Sequence, residues 1–153
     1  MLDSEILENK KTIYFILFIV YILIVLKLTV FRFAVYYDEP QINLALFSEL
    51  IKVYRNIGLR EFSRLFLGNI GWFIPFGFLL PMLLKKKSLL KVLAFGLMFS
   101  FIIEILQFIS HKGVAELDDL ILNIIGVIIG YYLYKSQSYF LRLKYNSTHN
   151  PEG

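Results

Sequence analysis

Carboxylates and amides recur at helical spacing in two apolar segments of the sequence, where charged groups are costly. Glu104 and Gln107 are three residues apart in the first segment. At the start of the second segment, Asp119 follows Glu116 by three residues and precedes Asn123 by four. Residues spaced by three or four share one face of a helix. Each segment is therefore predicted to carry a polar stripe on an otherwise apolar helix.

Small residues extend both stripes. In the first segment, Gly96 and Ser100 precede the glutamate at intervals of four residues. In the second segment, Gly126 and Gly130 follow the asparagine at intervals of three and four residues. Small side chains let two helices approach closely in a membrane. The two stripes are therefore predicted to contact each other through these small residues and to separate at their acidic ends, which leaves a polar cleft.

The residue types in this cleft limit the chemistry that it can perform. Two or three carboxylates can act as a general acid and base, can bind a divalent cation, or can recognise a polar or zwitterionic group. The sequence has no cysteine. It also has none of the short motifs that mark a serine nucleophile, a zinc protease or a phosphate-binding glycine loop. The residues favour binding over catalysis, without a resident metal or cofactor, and catalysis stays open as the alternative.

Two more polar residues in apolar segments are predicted to face the same cleft. A charged side chain in hydrocarbon costs at least about 2.5–3.5 kcal/mol, so it normally faces a partner or water. Lys27 lies late in the first apolar run, and Asn69 lies in the second. We predict that Lys27 forms an ion pair with Glu104 and that Asn69 joins the cleft. Asp118, which is off the stripe, is predicted to be a solvated helix cap.

The helices that must position these residues are visible in the hydropathy of the chain. Its 153 residues are 58% apolar, 17% aromatic and 18% charged, and the mean hydropathy is +0.65. Soluble domains average roughly half apolar and a quarter charged residues. A helix needs about 20 mainly apolar residues to cross a bilayer, and four segments qualify, at about 13–35, 65–84, 89–110 and 117–134. The sequence predicts an all-α integral membrane protein, a four-transmembrane-helix bundle.

The long segment between the first two spans contains a further helical pattern. Leu46, Leu50 and Ile57 recur at helical spacing, and Glu49 and Arg55 lie on the opposite face. This pattern predicts an amphipathic helix that lies in the membrane interface with its apolar face toward the lipid. A short surface helix packed on the spans is the alternative.

The distribution of charge predicts the orientation of the chain. The net charge of +4 does not indicate a nucleic-acid partner, because the basic residues are scattered between long apolar runs. Short loops rich in Lys and Arg stay in the cytoplasm. The side that holds both chain ends and the cluster Lys85, Lys86 and Lys87 carries most of these residues. Both termini are therefore predicted to be cytoplasmic, as tails over residues 1–12 and 135–153, and the cleft is predicted to open outward.

Four segments of the sequence resemble motifs of the VanZ-like family of small bacterial membrane proteins. Residues 69–77 are similar to the family signature Asn-x-x-x-Phe-x-Pro-Phe-Gly, and residues 104–108 follow as Glu-Ile-Leu-Gln-Phe. Residues 116–126 are similar to Asp-x-x-Asp-x-x-x-Asn-x-x-Gly, with Glu116 in place of the usual Asp. Asn43 begins a shorter family element, and Lys27 lies where members carry a basic residue. Val114 departs from the Arg that many members have, and the resemblance covers about residues 20–134.

The resemblance implies a role in tolerance of lipid-tailed glycopeptide antibiotics of the teicoplanin type. It implies one four-helix membrane domain over residues 13–134 that works at the cell membrane. Its partners are expected to be membrane lipid and a lipoglycopeptide antibiotic or a cell-wall lipid precursor, with the tail along Trp72, Phe73 and Phe76. The alternatives are a membrane enzyme that modifies a lipid-linked envelope substrate, with Glu104 or Asp119 as acid and base, and a structural scaffold. The candidate binding residues are Lys27, Asn43, Asn69, Glu104, Gln107, Glu116, Asp119 and Asn123.

Overall fold

The computed structural model describes residues 2–30 and 37–149, and the side chains of residues 9–30 and 37–147. The predicted end of the first span, residues 31–35, lies outside the described residues. In chain order the elements are α1 Leu2–Thr29, β1 Gln41–Asn43, α2 Ser48–Asn56, α3 Leu59–Leu83, α4 Leu89–Ser110, β2 Val114–Glu116 and α5 Leu117–His149.

Four of the described helices are long and apolar enough to cross a membrane. The candidate spans are Asn9–Thr29, Leu59–Leu83, Leu89–Ser110 and Leu117–Ser147. They confirm the predicted all-α bundle of four membrane helices. The second span begins earlier than the hydropathy suggested, because α3 adds a polar first turn directly after Gly58, which has a φ of 117°. The fourth span belongs to a helix that continues to His149.

The closest helix packing joins α3 to α5. A Cβ atom on Gly130 would lie 2.0 Å from the carbonyl oxygen of Ile74, and one on Gly126 would lie 2.2 Å from that of Ile70. The small residues of the last span were predicted to face the third span, α4, and this was wrong for both glycines. Gly96 of α4 does face α5, where Val127 is its neighbour. Neighbouring residues of α5 thus contact two different helices, α3 and α4. The spacing of the small residues alone could not predict which of the two helices each residue contacts.

The short helix α2 lies across one end of the bundle. Leu50 and Val53 are buried, and the ring of Tyr54 contacts Phe62 of α3 with 5.7 Å between their centroids. Ile51 and Ile57 are exposed. The predicted amphipathic helix is therefore present, packed on the bundle through one side and leaving apolar side chains uncovered on another.

Two short strands at the same end were not predicted. β1 pairs with β2 in parallel, with Asn43 opposite Glu116. Beside this pair, the backbone nitrogen of Tyr37 donates to the carbonyl oxygen of His111 over 2.9 Å. The ring nitrogen Nδ1 of His111 lies 3.0 Å from the carbonyl oxygen of Tyr37. These contacts fasten the long loop to the connection between α4 and α5.

Candidate functional site

An open cavity of about 860 Å³ lies where α2 and the two strands meet the ends of α3, α4 and α5. Its walls combine polar side chains with Trp72 and Phe73. Phe76, the third aromatic residue predicted to form a wall, is instead buried and stacks on Phe99 in the helix core. The structure brings seven of the eight candidate binding residues to this cavity: Asn43, Asn69, Glu104, Gln107, Glu116, Asp119 and Asn123.

Lys27 is the candidate residue that the structure does not bring to the cavity. The buried side of α1 is marked by Val25 and Val30, which are 0% and 1% exposed. Lys27 lies about 200° around the helix from Val25, and its side chain is exposed. The predicted ion pair with Glu104 is therefore not formed. Depth along the span suggested this pair, but the helix face that carries Lys27 points away from the bundle.

The partner of Glu104 is a backbone N–H group and not the side chain of Lys27. The carboxylate is 5% exposed, and its Oε2 accepts a hydrogen bond of 2.9 Å from the backbone nitrogen of Glu116. Because Glu116 ends β2, this contact joins the middle of the polar stripe on α4 to the strand pair. A buried carboxylate needs such donors to offset its lost hydration.

Side-chain amides connect the three helices at the base of the cavity. The Nδ2 of Asn69 on α3 donates to Oδ1 of Asp119 on α5. The Nδ2 of Asn123 donates to Oγ of Ser100 on α4 over 2.8 Å, and both residues are buried. The stripes of α4 and α5 therefore meet at Ser100, one of the small residues predicted to form this contact, but its partner on α5 is Asn123 and not a glycine.

Gln107 leaves one polar atom without a partner. Its Nε2 donates to the carbonyl oxygen of Thr29 on α1 over 3.4 Å. Its Oε1 is buried and accepts no hydrogen bond from the described residues. The residue is 7% exposed and lines the cavity. A buried carbonyl oxygen without a donor is uncommon and needs an explanation.

Asn43 has a local structural task besides its place at the cavity. Its Oδ1 accepts from the backbone nitrogen of Ala45 over 3.1 Å and from Oγ of Ser48 over 3.3 Å. These bonds shape the turn that leads into α2. The pairing of the strands then places Asn43 opposite Glu116.

Asp118 corrects a further expectation. It was predicted to be solvated, but it is 2% exposed, and its Oδ1 accepts from the backbone nitrogen of Phe47 over 2.7 Å. Phe47 has a φ of 55°. Spacing placed Asp118 off the polar stripe, and that was right, because it faces the turn before α2 instead. Of the two adjacent acids, Asp118 thus contacts the turn before α2 and Asp119 lines the cavity.

Burial and neighbouring acids weaken the acidity of Glu116, which lies outside the membrane-spanning helices. Loss of hydration first, and then the charges of Asp119, Glu49 and Asp118, raise its pKa to about 7, against a smaller lowering by Lys52. Several carboxyl groups are therefore concentrated beside the strand pair. The cavity also receives basic side chains that were not among the candidates: Lys52, Arg64 and Lys112.

Among the described side chains, two ion pairs engage basic residues near the cavity. Lys52 pairs with Glu49 over 3.2 Å, and Arg64 pairs with Glu61. Both are three-residue helix pairs and are largely exposed. Neither pair includes Glu104 or Glu116. Over residues 2–30 and 37–149, no group of three or more His, Cys, Asp or Glu side chains is arranged to hold a metal ion.

Comparison with known proteins connects this geometry to a family. A family model described as VanZ/LLP1 matches residues 18–142, which include every residue of the candidate site. The chain belongs to the VanZ/LLP1 family. Together with the four apolar helices, this makes it a multi-pass membrane protein. The resemblance seen in the sequence motifs is confirmed.

One curated relative in the VanZ/LLP1 family is Protein VanZ of Enterococcus faecium. It is 36% identical to this chain over 85 residues, which cover 52% of the chain and 53% of the relative. The chain thus matches about half the length of that protein. No solved structure gives a significant match.

Proposed function

We propose that this protein lowers the sensitivity of the cell to lipid-tailed glycopeptide antibiotics of the teicoplanin type, by binding an amphiphile in its polar cavity. The amphiphile is the antibiotic itself, a membrane lipid or a lipid-linked cell-wall precursor. The observation that carries the proposal is the cavity of about 860 Å³, in which the buried Glu104 and Gln107 lie beside Trp72 and Phe73. Polar groups on an apolar wall suit a ligand with a polar head and a hydrocarbon tail.

The exposed apolar residues around the cavity support this choice of ligand. Ile42, Leu44 and Ile51 of the β1 and α2 region are 58%, 70% and 46% exposed. Apolar side chains on a short helix beside membrane spans are suited to the membrane interface. An amphiphile held there would keep its tail in lipid while its head group enters the cavity.

The proposed orientation places the cavity on the outer face of the cell membrane. It rests on the basic residues, most of which lie beside the chain ends and between α3 and α4. Residues 1–12 and 135–153 are then cytoplasmic. The cavity would open to the compartment in which glycopeptides act.

Drug susceptibility of a sensitive Gram-positive host tests the function. Cells that make the wild type, Glu104→Gln or Asp119→Asn are compared against matched glycopeptides with and without a lipid tail. We expect the wild type to protect against the tailed drug alone and both variants to lose most of that protection. Each variant keeps an oxygen that can accept the hydrogen bond of the native carboxylate, so the fold should be retained.

The matched control for this assay is Glu39→Gln, which makes the same charge change on an exposed residue outside the cavity. It should protect as well as the wild type. Membrane levels of every variant are measured in the same cells. Full protection by Glu104→Gln at normal levels, or no protection by well-produced wild type, would contradict the proposal.

A further inference from the structure

The cavity contains more hydrogen-bond acceptors than donors in its buried part. Oε1 of Gln107 is buried without a partner, since Nε2 of the same amide is turned toward the carbonyl oxygen of Thr29. Among the described residues, Glu104 receives one hydrogen bond, from the backbone nitrogen of Glu116. A carboxylate has about four acceptor positions. These free acceptor positions favour a ligand that brings N–H or O–H donors.

The carboxylate charges in the cavity also favour a ligand with donor groups, and specifically a positively charged one. Glu104 is 5% exposed, Glu116 is half-buried, and neither takes part in the ion pairs found among the described side chains. Asp119 adds a third carboxyl group to the same cavity. Buried carboxylates that are not engaged in an ion pair are unfavourable in low dielectric. A positive group in the cavity would offset this unfavourable energy.

We propose that the cavity recognises a primary ammonium group on the head of its amphiphile, through Glu104, Glu116 and the unpartnered carbonyl oxygen of Gln107. This inference rests on the proposed function, because it names the chemistry of the head group in the same cavity. The sources of such a group are a membrane lipid with an aminoethyl phosphate head and an amine-bearing lipid-tailed antibiotic.

The unpartnered carbonyl oxygen separates a primary ammonium from a quaternary one. A primary ammonium has three N–H donors, which can reach carboxylate and amide oxygens together. A trimethylammonium group has none, although it could still lie against the aromatic faces of Trp72 and Phe73. A site that recognised charge alone would bind both groups. Tighter binding of the primary ammonium therefore distinguishes recognition by hydrogen bonds from attraction of any cation.

The single tryptophan of the chain makes this discrimination measurable. Trp72 lines the cavity, and the sequence contains one Trp. The full-length protein is purified in a neutral detergent and titrated while its fluorescence is recorded. The probes are short-chain phospholipids with identical tails and four head groups: phosphoethanolamine, N-acetylated phosphoethanolamine, phosphocholine and phosphoglycerol. An amine-bearing lipoglycopeptide and its N-acetylated form make the second arm, which separates the two sources.

The phosphoethanolamine lipid is expected to bind about tenfold or more tightly than the other three lipids. This difference in affinity is that expected when the charge-assisted hydrogen bonds of the ammonium group are lost. Glu104→Gln and Gln107→Met should each remove most of this preference, and Glu39→Gln should keep it. In the antibiotic arm, a matching loss on N-acetylation would assign the drug amine to the same site. Preference for the lipid amine alone would assign the site to membrane lipid.

Three results would overturn the inference. Equal binding of the phosphoethanolamine and N-acetylated lipids would show that an amphiphile binds without recognition of its ammonium, which leaves the proposed function standing. Tighter binding of phosphocholine or phosphoglycerol would place recognition on the aromatic wall or on Lys112, which lines the same cavity. No binding by any amphiphile would contradict this inference and the proposed function together.

Discussion

At the scale of residues, Glu116 connects the carboxyl groups of the cavity to the strand pair. Its backbone nitrogen donates to Glu104, and its position in β2 faces Asn43 across the strand pair. Its side chain lies near several other carboxyl groups, which raise its pKa together with burial. The backbone of Glu116 therefore holds the strand pair against Glu104, while its side chain takes up a proton within the cavity.

The raised pKa predicts how stability depends on pH. The pKa of Glu116 rises from an ordinary 4.5 to about 7 in the folded protein. Between these values the folded state holds a proton that the unfolded chain has lost, so stability falls as pH rises. The contribution is fully present below the lower value and is lost as pH passes the upper one. The charged groups that act on this residue are Asp119, Glu49, Asp118 and Lys52.

Thermal unfolding in detergent measures this dependence. We expect the unfolding temperature of the wild type to fall between about pH 5 and pH 8, and that of Glu116→Gln to fall less, because its amide does not titrate. Glu39→Gln, which changes an exposed glutamate, should follow the wild type. An identical decline in the wild type and Glu116→Gln would show that Glu116 does not titrate in this range.

Residue spacing predicted most of the cavity but not the contacts within it. The intervals between Glu104 and Gln107, and between Asp119 and Asn123, correctly placed each pair at one cavity. Lys27 was misplaced because its depth is visible in the sequence while the face of α1 that meets the bundle is not. An apolar span offers almost no contrast between its lipid side and its protein side, so spacing cannot orient it.

At the scale of elements, close contact between α3 and α5 determines how the cavity base is built. Asn69 and Asp119 come from these two helices, and they meet because Gly126 and Gly130 let the backbones approach. The loops close the other end, where β1 and β2 each span three residues. Strands this short have no alternating pattern, which explains why the sequence did not reveal them.

Two glycines of the bundle make a matched test of helix approach. In Gly130→Ala the new methyl group would meet the backbone of α3, 2.0 Å from the carbonyl oxygen of Ile74. We expect a loss of about 1–3 kcal/mol in unfolding free energy, typical of overpacking. In Gly71→Ala nothing lies within 4 Å of the new atom, so stability should stay equal or rise, as expected for alanine in a helix.

Unfolding in a mixed-detergent series compares the two variants with the wild type. The fluorescence of Trp72 gives a second reading of the cavity itself, since it lies one turn from Asn69 on α3. Equal stability of Gly130→Ala and Gly71→Ala would contradict the close contact of α3 with α5.

At the scale of the whole molecule, the four spans and the end-on cavity make a protein with two different faces. One face holds α2, the strand pair and the cavity, and the opposite one holds the basic connection between α3 and α4. Hydropathy predicted the number of spans because about 20 apolar residues are needed for each crossing. The position of α2 against the bundle could not be predicted, because its apolar residues suit lipid and protein equally.

The absence of native cysteine allows the orientation to be measured directly. Glu39→Cys places a thiol in the long loop, and Lys86→Cys places one between α3 and α4; both native residues are exposed. An impermeant thiol reagent added to intact cells should label Glu39→Cys and leave Lys86→Cys unlabelled until the membrane is opened. The reverse pattern would invert the proposed topology and turn the cavity toward the cytoplasm.

The hydrogen bonds between Tyr37 and His111 span 74 residues of sequence, and they have a consequence for biosynthesis. A ribosome delivers the long loop well before its partner, so α1, α3 and most of α4 enter the bilayer while the loop still lacks β2. The acidic cavity can close only after the start of α5 has emerged. Until then Glu104 has no backbone donor from Glu116. The synthesis of β2 and of the start of α5 thus decides when the nascent chain can form its polar cavity.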